Sequence, residues 1–585
     1  MKPVSLLTTT ALAALLASLA HPVLASPQAC AGLANTGFPN TLITQAQWQA
    51  AGVVTLPTGV LPAHCEIQGK INQRVGADGK HAIGFHLRLP KAWNGRFLFQ
   101  TQGGNDGNLG TGDGTPGGGA PSTVNQGYAT VTTDAGHVPE NVPVIGEQLY
   151  GLDPQARVDY GYNSDGTVGR LSKQIIAAYY GRSPRYSYIM GCSNGGRHAM
   201  VASQRFPHLF EGYVAGDPGF NLPAAAVAEA WDTQAFASVA PLYSDGKPIL
   251  SQSFSNDDLT LVANAVLQRC DKLDGLVDGM IDNPQACRFD PAELQCQGGK
   301  TDSCLSPQQV KVLKKVFAGA KNSSGHALYA DWPYDAGIGA PGWRVWKIGF
   351  PPAPPASPSV PTGINATLGG PSLPYIFLVP PVPVALSNPP LAQEPALRAI
   401  FDYLMGFNFD TDAPKIFATS DIYTESPDSF MTAKSTDYRT FRRLGNKLLI
   451  YHGVSDPVFS VNDMIGWYER LAEANHGFAP AKSFARLFLV AGMNHCGGGP
   501  ATDTFDALTP IVNWVEHGVA PRSIIARANP GSPWPTRTRP LCVFPWQARY
   551  DGSGSIENAA NFKCVKPKHH HDREGRDWKD DDDED

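Results

Sequence analysis

Charge is scarce in this sequence, and neither sign prevails. Only 17% of residues are Asp, Glu, Lys or Arg, with 46 basic against 52 acidic side chains and a net charge of -6. No basic face large enough to drive nucleic-acid binding follows from that balance. Long apolar runs are also missing. Beyond the N-terminus no stretch reaches the ~20 apolar residues a spanning helix needs, and the apolar run 375–386 is interrupted by Pro380, Pro381 and Pro383. None of the ten cysteines stands in a C-x-x-C pair, which argues against a zinc ribbon or a thioredoxin-like site. There is no internal repeat. What is plentiful is core material and turn formers: 42% hydrophobic and 10% aromatic residues over 585 positions, with 60 glycines and 50 prolines. That mixture describes a loop-rich globular protein with a large buried core and excludes intrinsic disorder.

The first 25 residues read as an export signal. Lys2 gives a positive start, Leu6 to Leu16 with Leu19 an apolar stretch, and Val23-Leu24-Ala25 a small-residue cleavage site. The mature chain is expected to begin near Ser26 and to be secreted or periplasmic. An even number of cysteines behind such a signal reads as disulfides, although spacing does not fix connectivity. Local pairing is the default: Cys270 with Cys287, Cys296 with Cys304, Cys542 with Cys564, and Cys30 with Cys65. Cys192 and Cys496 are left over.

Between 26 and 220, strand-like runs alternate with helical periods: Arg96 to Gln100, Tyr128 to Thr132, a helix from Val168 to Tyr180, and a strand from Arg185 to Met190. The alternation resumes from 446 to 564, with strands Lys447 to Tyr451 and Ala485 to Val490 and helices Val461 to Asn475 and Ala507 to His517. This is the pattern of a mainly parallel, doubly wound α/β sheet. The intervening 221–445 lacks it and reads as one long insertion, Asp/Gly/Cys-rich and then Pro-rich. Residues 565–585, with three histidines and a run of acids, read as a disordered tail.

The chemistry falls where strands end. The strand from Arg185 to Met190 runs into Gly191-Cys192-Ser193-Asn194-Gly195-Gly196 and then a helix. G-x-S-x-G in strand–turn–helix context is a nucleophile elbow; the alternative is a glycine-rich turn with a capping serine. A serine needs a base, and the base needs an acid to fix its tautomer. Asp456 follows one late strand and His495 the next, in the Ser–acid–His order of this fold, with Asp217 and His452 as rivals. Cys192 precedes the serine and Cys496 follows the histidine, so juxtaposing Ser193 and His495 would bring the leftover cysteines within bridging range. The oxyanion donors are expected to be the N–H groups of Asn194 and of Gly104, in the loop Thr101-Gln102-Gly103-Gly104-Asn105-Asp106-Gly107. A second cluster, Cys270-Asp271-Lys272-Leu273-Asp274-Gly275-Leu276-Val277-Asp278-Gly279-Met280, suits a hard cation such as Ca²⁺ or is an acidic solvated loop.

The GCSNGG elbow, Asp456 and the His495-Cys496 pair resemble the signature of the tannase and feruloyl esterase family, and the likeness extends over most of the mature chain. The resemblance implies an α/β-hydrolase core, an inserted lid holding a structural calcium, and the five disulfides above. It also implies Ser193, Asp456 and His495 as triad, and Asp271, Asp274, Leu276, Asp278 and Met280 as calcium ligands, Leu276 and Met280 through their carbonyls. In the branch of the family that hydrolyses terephthalate monoesters, an arginine is expected in the lid a few residues before a phenylalanine that covers the substrate. The stretch 371–377 here keeps Phe377 but has no arginine, so no cation there pairs a free carboxylate. The expected protein is a monomeric, secreted serine esterase for small aromatic carboxylic esters, with no organic cofactor and no nucleic-acid or membrane partner. Terephthalate-monoester hydrolysis is the alternative substrate reading. A catalytically silent, calcium-stabilised binding protein is the alternative from another class.

Overall fold

A computed structural model describes residues 25–76 and 79–567. Most of the expected export signal and all of 568–585 lie outside the described residues. Among the described residues no helix is long and apolar enough to cross a membrane.

Nine strands form the central sheet: β1 Thr41–Gln49, β2 His64–Val75, β3 Lys80–Pro90, β4 Arg96–Gln100, β5 Ala129–Thr133, β6 Tyr186–Cys192, β7 Gly212–Gly216, β8 Lys447–Gly453 and β9 Ala485–Val490. Their spatial order is β1-β2-β3-β5-β4-β6-β7-β8-β9. The pairings from β5 to β9 are parallel, and those joining β1, β2, β3 and β5 are antiparallel. The parallel strands are covered on both faces. Thus Tyr188, Ile189 and Met190 of β6 and Leu448, Leu449 and Ile450 of β8 are all buried, which is why these strands read as continuous apolar runs. The fold is that of an α/β hydrolase.

Residues 221–445 place no strand in this sheet. They form helices and short turns around a second apolar core that includes Phe236, Val262, Leu313, Val316 and Trp343 and continues into Val458 and Phe459 of the main body. The segment is bonded onto the sheet's edge loops. Asp335 Oδ2 accepts from Ser455 Oγ at 2.6 Å and from the Gly492 N–H at 2.8 Å. All five disulfides are formed as the local-pair expectation and its leftover pair have them. In Cys192–Cys496 the Cα atoms are 6.1 Å apart.

Candidate active site

The site grows from the end of β6. The chain turns at Ser193, whose φ of 65° and ψ of -125° lie outside the regions a side-chain-bearing residue ordinarily occupies, and enters helix Asn194–Arg205 at once. Such a residue stores about 1–3 kcal/mol of backbone strain, so the turn must be held. Thr101 Oγ donates to the Gly195 carbonyl at 2.8 Å. A Cβ on Gly191 would stand 2.3 Å from that Thr101 oxygen, and one on Gly196 would stand 2.3 Å from the Gly216 carbonyl. A Cβ on Gly195 would stand 3.0 Å from the carbonyls of Thr101 and Gln102, so both motif glycines, 191 and 195, and the Gly196 that follows them are crowded positions of the elbow.

Ser193 Oγ is 2.7 Å from His495 Nε2. His495 Nδ1 is 2.9 Å from Asp456 Oδ2, while Asp456 Oδ1 accepts from the N–H groups of Val458 at 2.7 Å and Phe459 at 3.2 Å. Burial pushes the Asp456 carboxyl up, but His495 and His452 outweigh it and hold it well below the usual carboxylate range. Burial likewise lowers His495, and the Asp456 carboxylate reverses this, leaving the imidazole above its ordinary value. Two aromatic edges wall the imidazole: Trp346 at 5.0 Å and Phe459 at 5.3 Å between ring centres. Phe459 follows Asp456 on the same loop and could have been suspected from the sequence. Trp346 comes from the insertion and carries no local signal.

The two rivals lie against the same cluster in different roles. Asp217 Oδ1 accepts the Gly453 N–H at 2.7 Å and Oδ2 the Cys496 N–H at 3.2 Å, so this carboxylate ties the acid loop to the histidine loop. Burial pushes it up to about 7. His452 Nε2 is 2.9 Å from the Phe459 carbonyl and 3.5 Å from Asp456 Oδ2, the same oxygen that His495 Nδ1 meets at 2.9 Å.

Asn194 is buried at the start of its helix, and the loop 101–107 packs on the serine: a methyl on Gly103 would stand 3.7 Å from Ser193 Cβ. Gly104 follows with φ of 63°. In the insertion, Leu373 and Phe377 are both buried within the second core. Arg398, a cation of the insertion that could be considered for a substrate carboxylate in place of the missing lid arginine, is paired with Asp245 at 2.7 Å and Glu394 at 3.0 Å on the surface.

The acidic loop folds on itself. Asp271 accepts from the N–H groups of Asp278 at 3.2 Å and Gly279 at 2.9 Å, and Asp274 from Leu276 at 3.0 Å and Asp282 at 2.9 Å. Asp278 accepts from the Met280 N–H at 3.1 Å and is ion-paired with Arg539. Desolvation raises Asp271 and Asp274, and neighbouring carboxylates add to it. Asp271 and Asp278 lie near enough to Asp274 for their charges to be felt there, and carboxylate oxygens are the donors a hard cation takes.

A serine on a strained strand–helix elbow, hydrogen-bonded to a histidine that a buried carboxylate orients, at the carboxyl ends of a parallel sheet, places this molecule among the α/β hydrolases. The comparisons narrow the class. The model of the tannase and feruloyl esterase family matches residues 65–362 and 391–565. Mono(2-hydroxyethyl) terephthalate hydrolase of Piscinibacter sakaiensis is 43% identical over 578 residues, covering 93% of this chain and 92% of that protein. A probable feruloyl esterase of Arthroderma benhamiae is 28% identical over 518 residues, with 84% of each covered. Among solved structures, feruloyl esterase B of Aspergillus oryzae superposes with a TM-score of 0.70 over 92% of this chain and all of that one, at 23% identity, which bears on the fold. The chain belongs to the tannase and feruloyl esterase family, and it is a carboxylic ester hydrolase.

Proposed function

We propose that the protein is a secreted serine esterase that cleaves esters of aromatic carboxylic acids through an acyl-enzyme. The observation that carries this reading is the unbroken hydrogen-bond chain from Ser193 through His495 to Asp456. Ser193 Oγ attacks the acyl carbon while His495 Nε2 takes its proton and then gives it to the departing alkoxide. Asp456 keeps the His495 proton on Nδ1 and stabilises the imidazolium that forms. The N–H groups of Asn194 and Gly104 are the donors for the oxyanion. Water then attacks the acyl-enzyme with His495 as base, releasing the acid and restoring the serine. Trp346 and Phe459 give the region beside His495 an aromatic lining suited to a flat acyl group, with the insertion acting as lid and Phe377 packed within it. Calcium, when bound by Asp271, Asp274, Asp278 and the carbonyls of Leu276 and Met280, would cross-link the insertion; the chemistry needs nothing from it.

The 43% identity to a terephthalate monoester hydrolase favours a second substrate reading, mono(2-hydroxyethyl) terephthalate (MHET) itself. Against it, 371–377 holds no arginine, Leu373 is buried and Arg398 is engaged elsewhere. An unpaired carboxylate on the far side of the ring would be desolvated without a partner. We expect kcat/KM on benzoate, gallate or ferulate esters to exceed that on MHET, and Ser193→Ala to lower hydrolysis of all of them by at least about a thousandfold with folding retained. Near-normal turnover by Ser193→Ala would refute the serine mechanism. Equal or better turnover of MHET by the unmodified enzyme would establish the second reading.

A further inference from the structure

Behind the elbow lies a buried polar cluster that the mechanism above does not use. Asp106 sits at the end of the loop 101–107 with φ of 57° and is 8% exposed. Its Oδ2 accepts from Asn194 Nδ2 at 2.6 Å and lies 2.9 Å from His198 Nε2. His198 Nδ1 is in turn 2.9 Å from Asp165 Oδ1. Arg197 donates from Nε to Asn194 Oδ1 at 2.6 Å and from its two Nη atoms to the carbonyls of Gly161 at 2.6 Å and Tyr160 at 3.1 Å. Its Nη2 also stands 2.8 Å from His198 Nε2, so that ring nitrogen lies between Arg197 and Asp106. Burial and Arg197 lower the His198 proton affinity, but Asp165 and Asp106 outweigh them and hold it above the ordinary histidine value. Two acidic side chains thus face one guanidinium and one imidazole, and such pairing is how a cluster of this kind tolerates burial.

The arrangement is specific in what it joins. Asn194 carries one proposed oxyanion donor on its backbone, and its side chain is gripped at both ends, by Asp106 and by Arg197. Asp106 itself belongs to the loop that carries the other proposed donor, Gly104. We infer that Asp106, backed by His198 and Asp165, is a positioning residue that fixes the spacing of the two halves of the oxyanion hole. The inference rests on the serine-esterase reading above and deepens it. The loop is also tied to the insertion, because Ser372 Oγ donates to Asn105 Oδ1 at 3.3 Å, so seating of the insertion and geometry of the hole share one short segment.

The test separates transition-state from ground-state binding, which general destabilisation would not do. Asp106→Asn and Asp106→Ala are compared with the parent enzyme for kcat and KM on p-nitrophenyl benzoate, and for the Ki of phenylboronic acid, whose tetrahedral serine adduct occupies the oxyanion hole. Removing a single oxyanion donor from a hydrolase costs about a hundred- to a thousandfold in kcat. Misplacing one is expected to cost about ten- to a hundredfold in kcat for Asp106→Ala, with a matching loss in boronate affinity and KM within about threefold. If the alanine variant does not fold because His198 loses its buried partner, Asp106→Asn carries the test, with a smaller loss of the same pattern. A folded variant with kcat and boronate Ki within threefold of the parent, or one that loses KM and kcat/KM while kcat stands, overturns the inference. Failure of the serine reading itself would appear differently, as hydrolysis that survives Ser193→Ala.

Discussion

Replacing Asp456 by asparagine isolates one atom of the proposed triad. Asparagine is nearly isosteric, and its amide oxygen can stay at Oδ1, where it still accepts the N–H groups of Val458 at 2.7 Å and Phe459 at 3.2 Å. The loop therefore has reason to keep its shape. What changes is the position 2.9 Å from His495 Nδ1, where an acceptor becomes an NH₂ donor. The imidazole must then accept at Nδ1 and carry its proton on Nε2, the nitrogen that faces Ser193 Oγ at 2.7 Å. In that tautomer it cannot take the serine proton. The imidazolium formed during attack also loses its buried counter-charge. A wrong-tautomer variant of this kind loses about four powers of ten in kcat, or about 5 kcal/mol of barrier at 1.36 kcal/mol per tenfold. Asp217 cannot rescue it by rotation, since both its oxygens are engaged by the N–H groups of Gly453 and Cys496. The assay is steady-state hydrolysis of p-nitrophenyl benzoate near pH 8, with circular dichroism to verify folding. A folded Asp456→Asn enzyme within tenfold of the parent kcat would refute the assignment. Asp217→Asn would then have to carry the loss.

Three further outcomes are expected. Because His495 must be neutral to act as base and its proton affinity is raised above the ordinary 6.5, kcat/KM should climb with pH through a midpoint above 6.5 and fall about tenfold per unit below it; a pH–rate profile whose acid limb is centred below 6 would contradict this. Converting Cys192 and Cys496 to serine opens a link between positions 304 residues apart, for which the chain-entropy model gives about 6 kcal/mol; chemical denaturation should show a stability loss of that order, together with reduced activity from a loosened histidine loop, and unchanged stability would count against the bridge. Chelation should lower the melting temperature while initial rates at low temperature persist. An unaltered Tm together with no metal by elemental analysis would leave the 271–280 loop as an acidic turn neutralised by Arg539.

Local sequence determined the elements and their chemistry. Strands β6, β8 and β9 were legible because burial on both faces forces continuous apolar runs, and the elbow was legible because a serine at φ 65° between crowded neighbours leaves only glycine at 191 and 196. The Ser–Asp–His order and the strand-end positions of Ser193, Asp456 and His495 follow from chain order alone. The antiparallel β1–β3 edge leaves a weaker trace in the sequence, since its alternation is partly masked by buried polar residues such as His64, Glu66 and Arg88. Only the tertiary structure could rank the acids near the site. Asp456, Asp217 and Asp106 all sit on strand-end or elbow loops, and the direction each carboxylate faces separates the partner of His495 from the ties behind it. The same holds for the insertion. Trp346 meets His495 across 149 positions of sequence, while Leu373 and Phe377 turn into the second core and Arg398 toward Asp245. Contacts between residues far apart in the chain leave no period or motif behind, because they are set by how helices and loops pack over the sheet, and that packing is decided by the whole core at once.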